Sequence, residues 1–435
     1  MISSNIKPNR VCVVGGGPAG LAAVRHSLAQ GFEVICYEKS QSIGGQWVYT
    51  EPTGAKYETD IHSSIYEDLR TNSPKEMMAY PDFGYPKNIK QSFISHHEVL
   101  KYHQAYAKRF ELTPHIKLEH EVIRIRPYNG LWEVYVLNKR SNQLLVQEFN
   151  FIFVCNGFAV TPHYAPIKDW EKYQGKLMHS HMYRRARDFK DETVLIIGAG
   201  PSGMDLAHHI CKYAKSVYLS HNVTQPPFSN LKPNIVPKPA VKYFTPSGAC
   251  FLDDSTHNFS VVIYCTGFSY TAPFLSTDCG VFIDENVVYP LYKHCININQ
   301  PTMAFVGLKF LVFPALMDLE VRFALEYFSK RKTLPSRDEM LQETDEELAE
   351  RKANGLQKRL THEINGLKYD YYENLANTAG ITPIKPAVIK VMRESVHKFQ
   401  IAFDTYRETV YEILDDETFI IHSNVSAKEA KNGKV

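Results

Sequence analysis

The sequence predicts an α/β fold with two parallel sheets. The prediction rests on a repeated pattern in which a short aliphatic strand leads into a glycine-rich turn and then a helix. In the first copy, a strand over 11–14 and a helix over 21–30 flank the turn Gly15, Gly16, Gly17, Pro18, Ala19 and Gly20. In the second, a strand over 194–197 and a helix over 204–212 flank the turn Gly198, Ala199, Gly200, Pro201, Ser202 and Gly203. Both copies have the context of a dinucleotide site, so two Rossmann-like domains are expected.

Each residue type in the turn has a physical purpose. The first glycine permits the tight bend, the second lets the backbone approach a pyrophosphate, and the third lets the helix pack against the strand. The phosphates then lie against the N–H groups at the positive end of the helix. Two turns therefore predict two nucleotides, with Met204 and Asp205 extending the second site.

The residues beyond each turn distinguish the nucleotides. The strand after the first turn ends at Glu38, 18 residues past Gly20, and Lys39 follows it. A carboxylate there accepts hydrogen bonds from ribose hydroxyls and repels a 2′-phosphate, which predicts FAD. A solvated acid at a strand end is the alternative for Glu38. The strand after the second turn ends in neutral or potentially cationic residues, which tolerate a 2′-phosphate and predict NADPH rather than NADH: Ser220, His221 and Asn222.

The order of elements predicts that one domain is inserted into the other. The alternating run 132–136 indicates an antiparallel strand, and the apolar runs 151–154 and 260–264 each end at a small-residue turn. We expect an FAD-binding domain over 1–164, an NADPH-binding domain over 165–271, and completion of the FAD domain with a helical C-terminal region over 272–435. The charged stretch 337–359 is expected to be a solvated helix or helical hairpin without a function of its own.

Composition excludes several classes of protein. Lys and Arg number 49 against 47 Asp and Glu, so nothing indicates a nucleic-acid partner. The eight cysteines form no C-x-x-C pair, which disfavours a two-nucleotide disulfide reductase and predicts reduced core residues. His97 and Glu98 lack a histidine at position 101, so no zinc pair is predicted.

The same reading predicts a soluble, cytoplasmic protein. Neither a charged-then-apolar leader nor an unbroken apolar run of membrane-spanning length occurs; the most apolar stretch, 303–317, is interrupted by Lys309. The polar C-terminal tail predicts no anchor, and no membrane partner is expected. Three Asn-x-Ser/Thr triplets leave secretion open as the alternative.

The segment between the two predicted domains carries the most specific pattern. It matches Phe-x-Gly-x-x-x-His-x-x-x-Tyr through Tyr173, Gly175, His179 and Tyr183, with Tyr173 in place of Phe. By this pattern the chain resembles the flavin-containing monooxygenases, which are class B flavoproteins. The related Baeyer–Villiger monooxygenases end the pattern in Trp-Pro, where this chain has Tyr183-Arg184. That difference favours oxygenation of a heteroatom over insertion into a ketone.

Three further segments extend the resemblance. Residues 44–47, with Gln46 and Trp47, resemble the family's second flavin contact. Residues 71–77, with Thr71 and Asn72, resemble its active-site segment, and residues 264–268, with Thr266 and Gly267, resemble its turn beside the nicotinamide. The resemblance implies that the Asn72 amide donates to a flavin-bound peroxide.

Simpler roles stay open for these residues. Asn72 is an alternative cap for a helix or turn, and Trp47 an ordinary core aromatic. Thr266 is an alternative cap for the segment that follows it. His179 is expected to be a structural histidine of the linker rather than a proton donor.

The resemblance also implies an activity. NADPH reduces FAD, O₂ adds to give a C4a-hydroperoxyflavin, and a soft nucleophile such as an amine or sulfide takes the distal oxygen. The short C-terminus resembles soluble insect members, among them pyrrolizidine-alkaloid N-oxygenases, which indicates tertiary amines as substrates. Many relatives carry Arg where this chain has Asn222, so a modest preference for NADPH is expected. A non-oxygenating reductase or flavin-binding sensor is the alternative function, and homo-oligomerisation is left open.

Overall fold

The computed structural model describes residues 9–51, 63–159, 161–222, 231–308, 313–363 and 370–422. Both chain tails and the middle of the apolar stretch 303–317 lie outside the described residues.

The elements of the described residues are numbered in chain order. The helices are α1 (Pro18–Ala29), α2 (His96–Arg109), α3 (Pro201–Ile210), α4 (Pro314–Phe328), α5 (Arg337–Ala353), α6 (Asp370–Ala379) and α7 (Pro386–Ile401). The strands are β1 (Arg10–Val14), β2 (Glu33–Glu38), β3 (Ile116–Leu118), β4 (His120–Tyr128), β5 (Leu131–Asn138), β6 (Gln143–Phe149), β7 (Phe151–Val154), β8 (Thr161–Pro162), β9 (Lys176–His179), β10 (Thr193–Ile197), β11 (Ser216–Ser220), β12 (Ile235–Lys238), β13 (Val241–Thr245), β14 (Gly248–Phe251), β15 (Thr256–Asn258), β16 (Val261–Tyr264), β17 (Phe268–Ser269), β18 (Phe282–Asp284), β19 (Val287–Tyr289), β20 (Leu291–Tyr292), β21 (Ile296–Asn297), β22 (Met303–Phe305), β23 (Val410–Ile413) and β24 (Phe419–His422).

The larger sheet has seven strands in the order β20-β21-β22-β7-β1-β2-β3. Strand β1 lies between β2 and β7, and both pair with it in parallel. Because side chains alternate across a strand, Val11 and Val13 pack beneath helices α1 and α4, while Cys12 and Val14 face the antiparallel meander β4-β5-β6. Burial on both faces explains why β1 and β7 are nearly continuous apolar runs.

The second sheet is wholly parallel, in the order β12-β11-β10-β16-β9. All five strands come from residues 176–264, and the chain rejoins the larger sheet afterwards through β20, β21 and β22. The ribbon of β8 and β17 pairs the stretches that precede and follow the second sheet. The expected α/β fold with two Rossmann-like domains is confirmed. The second sheet is wholly parallel, whereas β20, β21 and β22 pair antiparallel at the edge of the larger sheet. The domain boundaries at 165 and 271 stay predictions.

Helices α1 and α3 each begin three residues before the predicted start, because proline fits the first helical position within the glycine turn. Of the two forms expected for the charged stretch 337–359, the structure has the solvated helix, which ends at Ala353 and is followed by a separate short 3₁₀ turn. Helix α5 begins with a capping box between Ser336 and Glu339.

The C-terminal region packs on both sheets. Tyr372 and Leu375 of α6 belong to the core beneath the larger sheet, whereas Tyr406 and Tyr411 belong to the core of the second sheet. Within the described residues, no helix is both long enough and apolar enough to span a bilayer.

A buried carboxylate joins the two helices under the larger sheet. Asp318 of α4 is 2% exposed and accepts hydrogen bonds from His26 of α1 and from Arg322, one turn along α4. Burial alone would raise the pKa of Asp318, but these bonds outweigh it and hold the pKa below its ordinary value. The ionised carboxylate is therefore stabilised by folding.

We expect Asp318→Asn to lower the free energy of unfolding by about 2 kcal/mol at neutral pH, because charged hydrogen bonds at a buried site are lost. A lowered pKa makes this contribution fully present above about pH 4 and removes it as the pH falls further. Urea denaturation of parent and variant above and below pH 4 measures this effect. The matched control is Asp338→Asn on α5, whose carboxylate is almost fully exposed. If the difference in free energy of unfolding between parent and Asp318→Asn grew on acidification, the lowered pKa of Asp318 would be contradicted.

Candidate functional site

The first glycines of the two turns have the same geometry. Gly15 and Gly198 both have φ of +104°, a value that side chains rarely adopt. A Cβ on Gly15 would lie 2.5 Å from the carbonyl oxygen of Cys155, and a Cβ on Gly198 would lie 2.5 Å from that of Cys265. Each turn thus crosses directly over the end of the neighbouring parallel strand, β7 or β16.

The third glycines allow each helix to approach its strand. A Cβ on Gly20 would overlap the carbonyl oxygen of Gly15, and a Cβ on Gly203 would overlap that of Gly198. The helix and the turn could not both keep their places with any larger residue. Two independent segments have therefore met the same steric requirement.

The second helix of this type presents an uncapped N-terminus to open space. Its N-cap residue is Gly200, no side chain caps the helix, and a Cβ on Gly200 would meet nothing within 4 Å. Helix α1 is likewise uncapped at Gly17. Free N–H groups at a positive helix end fit a pyrophosphate, as FAD and NADPH require.

Glu38 lies buried beside the first turn. It is 3% exposed, its Oε2 accepts from the Gly16 N–H at 2.6 Å, and its Oε1 accepts from the Ser40 N–H at 2.8 Å. A cavity of about 350 Å³ opens next to it, with Lys39 and Asn156 also in its wall. The alternative of a solvated acid is wrong. Each oxygen keeps a lone pair for a ribose hydroxyl, which supports the predicted role.

The predicted second flavin contact adjoins this turn. The Gly44 N–H donates to the carbonyl of Gly16 at 3.0 Å, and the short 3₁₀ turn Gly45–Trp47 follows. Trp47 is half-buried against the core of the larger sheet, and Gln46 is exposed.

The end of β11 has no acidic side chain. Ser220 is buried and its hydroxyl donates to the carbonyl of Pro239 at 3.0 Å, His221 is half-buried, and Asn222 is exposed. Asp205, predicted to extend this site, is buried and faces Tyr66 and Arg407 instead of the open end of the turn.

The linker pattern has a packing explanation. Tyr173 donates from its hydroxyl to the carbonyl of Phe259 at 3.0 Å, and a Cβ on Gly175 would overlap the Tyr173 ring. Tyr183 is 1% exposed and packs edge-on against Tyr66 with ring centroids 5.1 Å apart. Residues of the pattern therefore pack on either side of β9 and fix the position of this edge strand.

His179 is held as a neutral ring. It is fully buried, and its Nδ1 accepts from the His181 N–H at 3.1 Å. Burial first, and the nearby His181 second, lower the pKa of His179 to about 4. A neutral ring at physiological pH supports the structural role over proton donation.

Arg184 ties the linker to the segment on either side of residues 52–62. It is 3% exposed and donates to the carbonyls of Thr50 at 2.6 Å, Ser63 at 2.8 Å and His181 at 2.8 Å. Burial lowers the pKa of Arg184. The proline of Baeyer–Villiger enzymes could make none of these bonds, so the Tyr-Arg ending has a structural consequence that sequence reasoning missed.

The predicted nicotinamide turn is anchored by the ribbon before β9. Thr266 donates from its hydroxyl to the carbonyl of His163, and the His163 N–H donates to the carbonyl of Gly267 at 3.0 Å. The Thr266 hydroxyl therefore bonds to a segment that precedes it by 103 residues, not to the segment that follows it, as a local cap would.

The side chain of Asn72 is exposed, whereas the preceding residue, Thr71, is buried. Thr71 exchanges two hydrogen bonds with Ile94, through its backbone N–H at 2.9 Å and its side-chain oxygen at 3.1 Å. The Asn72 Oδ1 accepts from the Tyr406 hydroxyl at 3.2 Å and from the Arg407 guanidinium. These partners lie far along the chain, so Asn72 is not acting as a local cap.

Comparison with known proteins identifies the family. The family model described as flavin-binding monooxygenase-like matches residues 8–225 and 222–406. The chain belongs to this family. Members of the family use FAD and NADPH, and the protein is an oxidoreductase enzyme.

This flavin-binding monooxygenase-like protein is similar along most of its length to three named oxygenases. Senecionine N-oxygenase of Tyria jacobaeae is 33% identical over 96% of this chain and 93% of its own. Flavin-containing monooxygenase FMO GS-OX3 of Arabidopsis thaliana is 34% identical over 87% of this chain and 86% of its own. The solved S-allyl-L-cysteine S-oxygenase from Allium sativum has a TM-score of 0.88 at 30% identity, covering 93% of this chain and 95% of its own.

Two alanine substitutions in the second turn of this monooxygenase-like protein separate fold from ligand contact. A Cβ at position 200 meets no protein atom within 4 Å, so Gly200→Ala should leave stability and FAD content unchanged. It should raise the KM for NADPH at least about tenfold, because its Cβ would meet the pyrophosphate of a nucleotide bound at this turn. Gly203→Ala should also lower the thermal midpoint, because its Cβ overlaps backbone. An unchanged KM in Gly200→Ala would place the pyrophosphate elsewhere.

Proposed function

We propose that this enzyme uses NADPH and O₂ to oxygenate nitrogen or sulfur in small soft nucleophiles, with tertiary amines, including pyrrolizidine alkaloids, as its substrate class. The observation that carries the proposal is the exposed Asn72 amide, whose oxygen is already occupied by two donors. The named activities of the Tyria jacobaeae and Allium sativum relatives, N-oxygenation and S-oxygenation, support the same chemistry.

The proposed reaction balances with these reactants. One NADPH, one proton, one O₂ and one amine give NADP⁺, water and one amine oxide. FAD, when bound, supplies the redox chemistry by accepting the hydride and activating O₂. The two glycine turns would hold the pyrophosphates.

Asn72 serves this reaction as a hydrogen-bond donor. With its Oδ1 bound by the protein, the amide Nδ2 is the group left to face the activated oxygen, and among the described residues it donates to no protein acceptor. Donation stabilises the oxygen until substrate takes it, and exclusion of water limits unproductive release of hydrogen peroxide.

Asn72→Ala and Asn72→Asp should retain FAD and oxidise NADPH, yet yield at least about tenfold less oxygenated product per NADPH, because the donor is lost or replaced by an acceptor. Product and hydrogen peroxide are quantified together with a tertiary amine and a thioether as substrates. Asn142→Asp, in the exposed β5-β6 turn, is the charge-matched control. Parent-like product yield in the Asn72 variants would refute the role, and no product from the parent with either substrate would favour a non-oxygenating reductase.

NADPH should be preferred over NADH, modestly, because no carboxylate follows β11 and Asn222 offers no bidentate contact to a 2′-phosphate. Asn222→Arg should raise the ratio of kcat/KM for NADPH to that for NADH by about tenfold. Steady-state kinetics with both nucleotides provide the measurement. A parent ratio near unity would overturn the assignment of the second site.

A further inference from the structure

A segment near the C-terminus completes the surroundings of the Asn72 amide. Arg407 donates from Nη2 to Asn72 Oδ1, from Nε to the carbonyl of Thr71 at 3.2 Å, and from Nη1 to Asp205 Oδ1 at 2.7 Å. The neighbouring Tyr406 adds its own hydrogen bond to Asn72 Oδ1. One guanidinium thus contacts both the active-site segment and the helix of the second nucleotide turn.

The ion pair at the centre of this arrangement is protected from solvent. The side chains of Arg407 and Asp205 are 16% and 5% exposed. Asp205 also accepts from the Tyr66 hydroxyl, and Tyr66 packs against Tyr183 of the linker pattern. Burial alone would lower the pKa of Arg407, but Asp205 outweighs it and keeps the pKa raised. A carboxylate this buried is costly without its cation, which holds Arg407 in place.

We propose that Arg407 is a positioning residue for oxygen transfer, which fixes the Asn72 amide with its nitrogen outward and makes that orientation depend on helix α3 through Asp205. This inference rests on the proposed function of Asn72. The two ends of an amide have nearly the same shape, so only hydrogen-bond partners select one orientation over the other. Two donors on Oδ1 make that selection.

The geometry requires arginine in particular. Three nitrogens of one planar group reach acceptors on two segments, Thr71, Asn72 and Asp205. Nη2 also donates to the carbonyl of Arg70 at 3.4 Å. A lysine ammonium is a single nitrogen on a flexible stem and cannot hold all three acceptors in these directions. Lysine does, however, keep a positive charge beside Asp205, so the substitution removes the positioning bonds without leaving the carboxylate unpaired.

Arg407→Lys should therefore fold and bind FAD, and without O₂ its bound FAD should be reduced by NADPH at close to the parent rate. With O₂ and substrate present, the yield of product per NADPH should fall several-fold, and the yield of hydrogen peroxide per NADPH should rise to match. A structural defect alone would not shift this ratio while leaving reduction intact. Arg187→Lys is the matched control, because Arg187 pairs with Glu67 at 2.6 Å and has no bond to Asn72 or Asp205. It should keep the parent ratio of product to peroxide.

A double substitution tests whether Arg407 acts through Asn72. In the Asn72→Ala background, Arg407→Lys should lower product yield no further, because the group that it positions is gone. Parent-like yield in Arg407→Lys, or an additional loss in the double variant, would overturn the inference while leaving the role of Asn72 intact. If Asn72→Ala itself keeps the parent yield, the proposed function of Asn72 and this inference both fail.

Discussion

The contact between a glycine turn and the carbonyl end of the adjacent parallel strand governs the rest of this structure. It occurs twice with the same geometry, over Cys155 and over Cys265. Only glycine permits such close backbone approach, and no side chain caps the N-terminus of the helix that follows each turn. The sheets, helices and strand ends are arranged so that two positive helix termini are available to phosphates.

Buried polar groups that bond to backbone hold part of the chain between the two sheets. Arg184 donates to carbonyls from the linker and from both sides of residues 52–62. His179 stays neutral at the end of the edge strand. Backbone acceptors have fixed positions, so these bonds define the path of the chain between the sheets more narrowly than apolar packing could.

The candidate active site draws on residues that are remote in sequence. Asn72 and its partner Tyr406 are separated by 334 positions. Tyr406 belongs to the core of the second sheet, so the Asn72 amide is held by a residue that packs against that sheet. The C-terminal region therefore contributes to the site, although its sequence carries no recognisable nucleotide motif.

Local sequence determined the α/β class, the two turns, the buried strands and the family, because each depends on spacing within about thirty residues, where glycine, proline and alternation act directly. The starts of α1 and α3 are a small exception, because proline occurs both just before a helix and at its first position, so the sequence alone did not place the boundary. Tertiary structure alone decided that Glu38 is buried on Gly16, that Asp205 turns towards Arg407, and that Arg184 and Arg407 join distant segments. Hydrogen bonds between remote positions leave no periodic trace in the chain, so only the folded arrangement could reveal them.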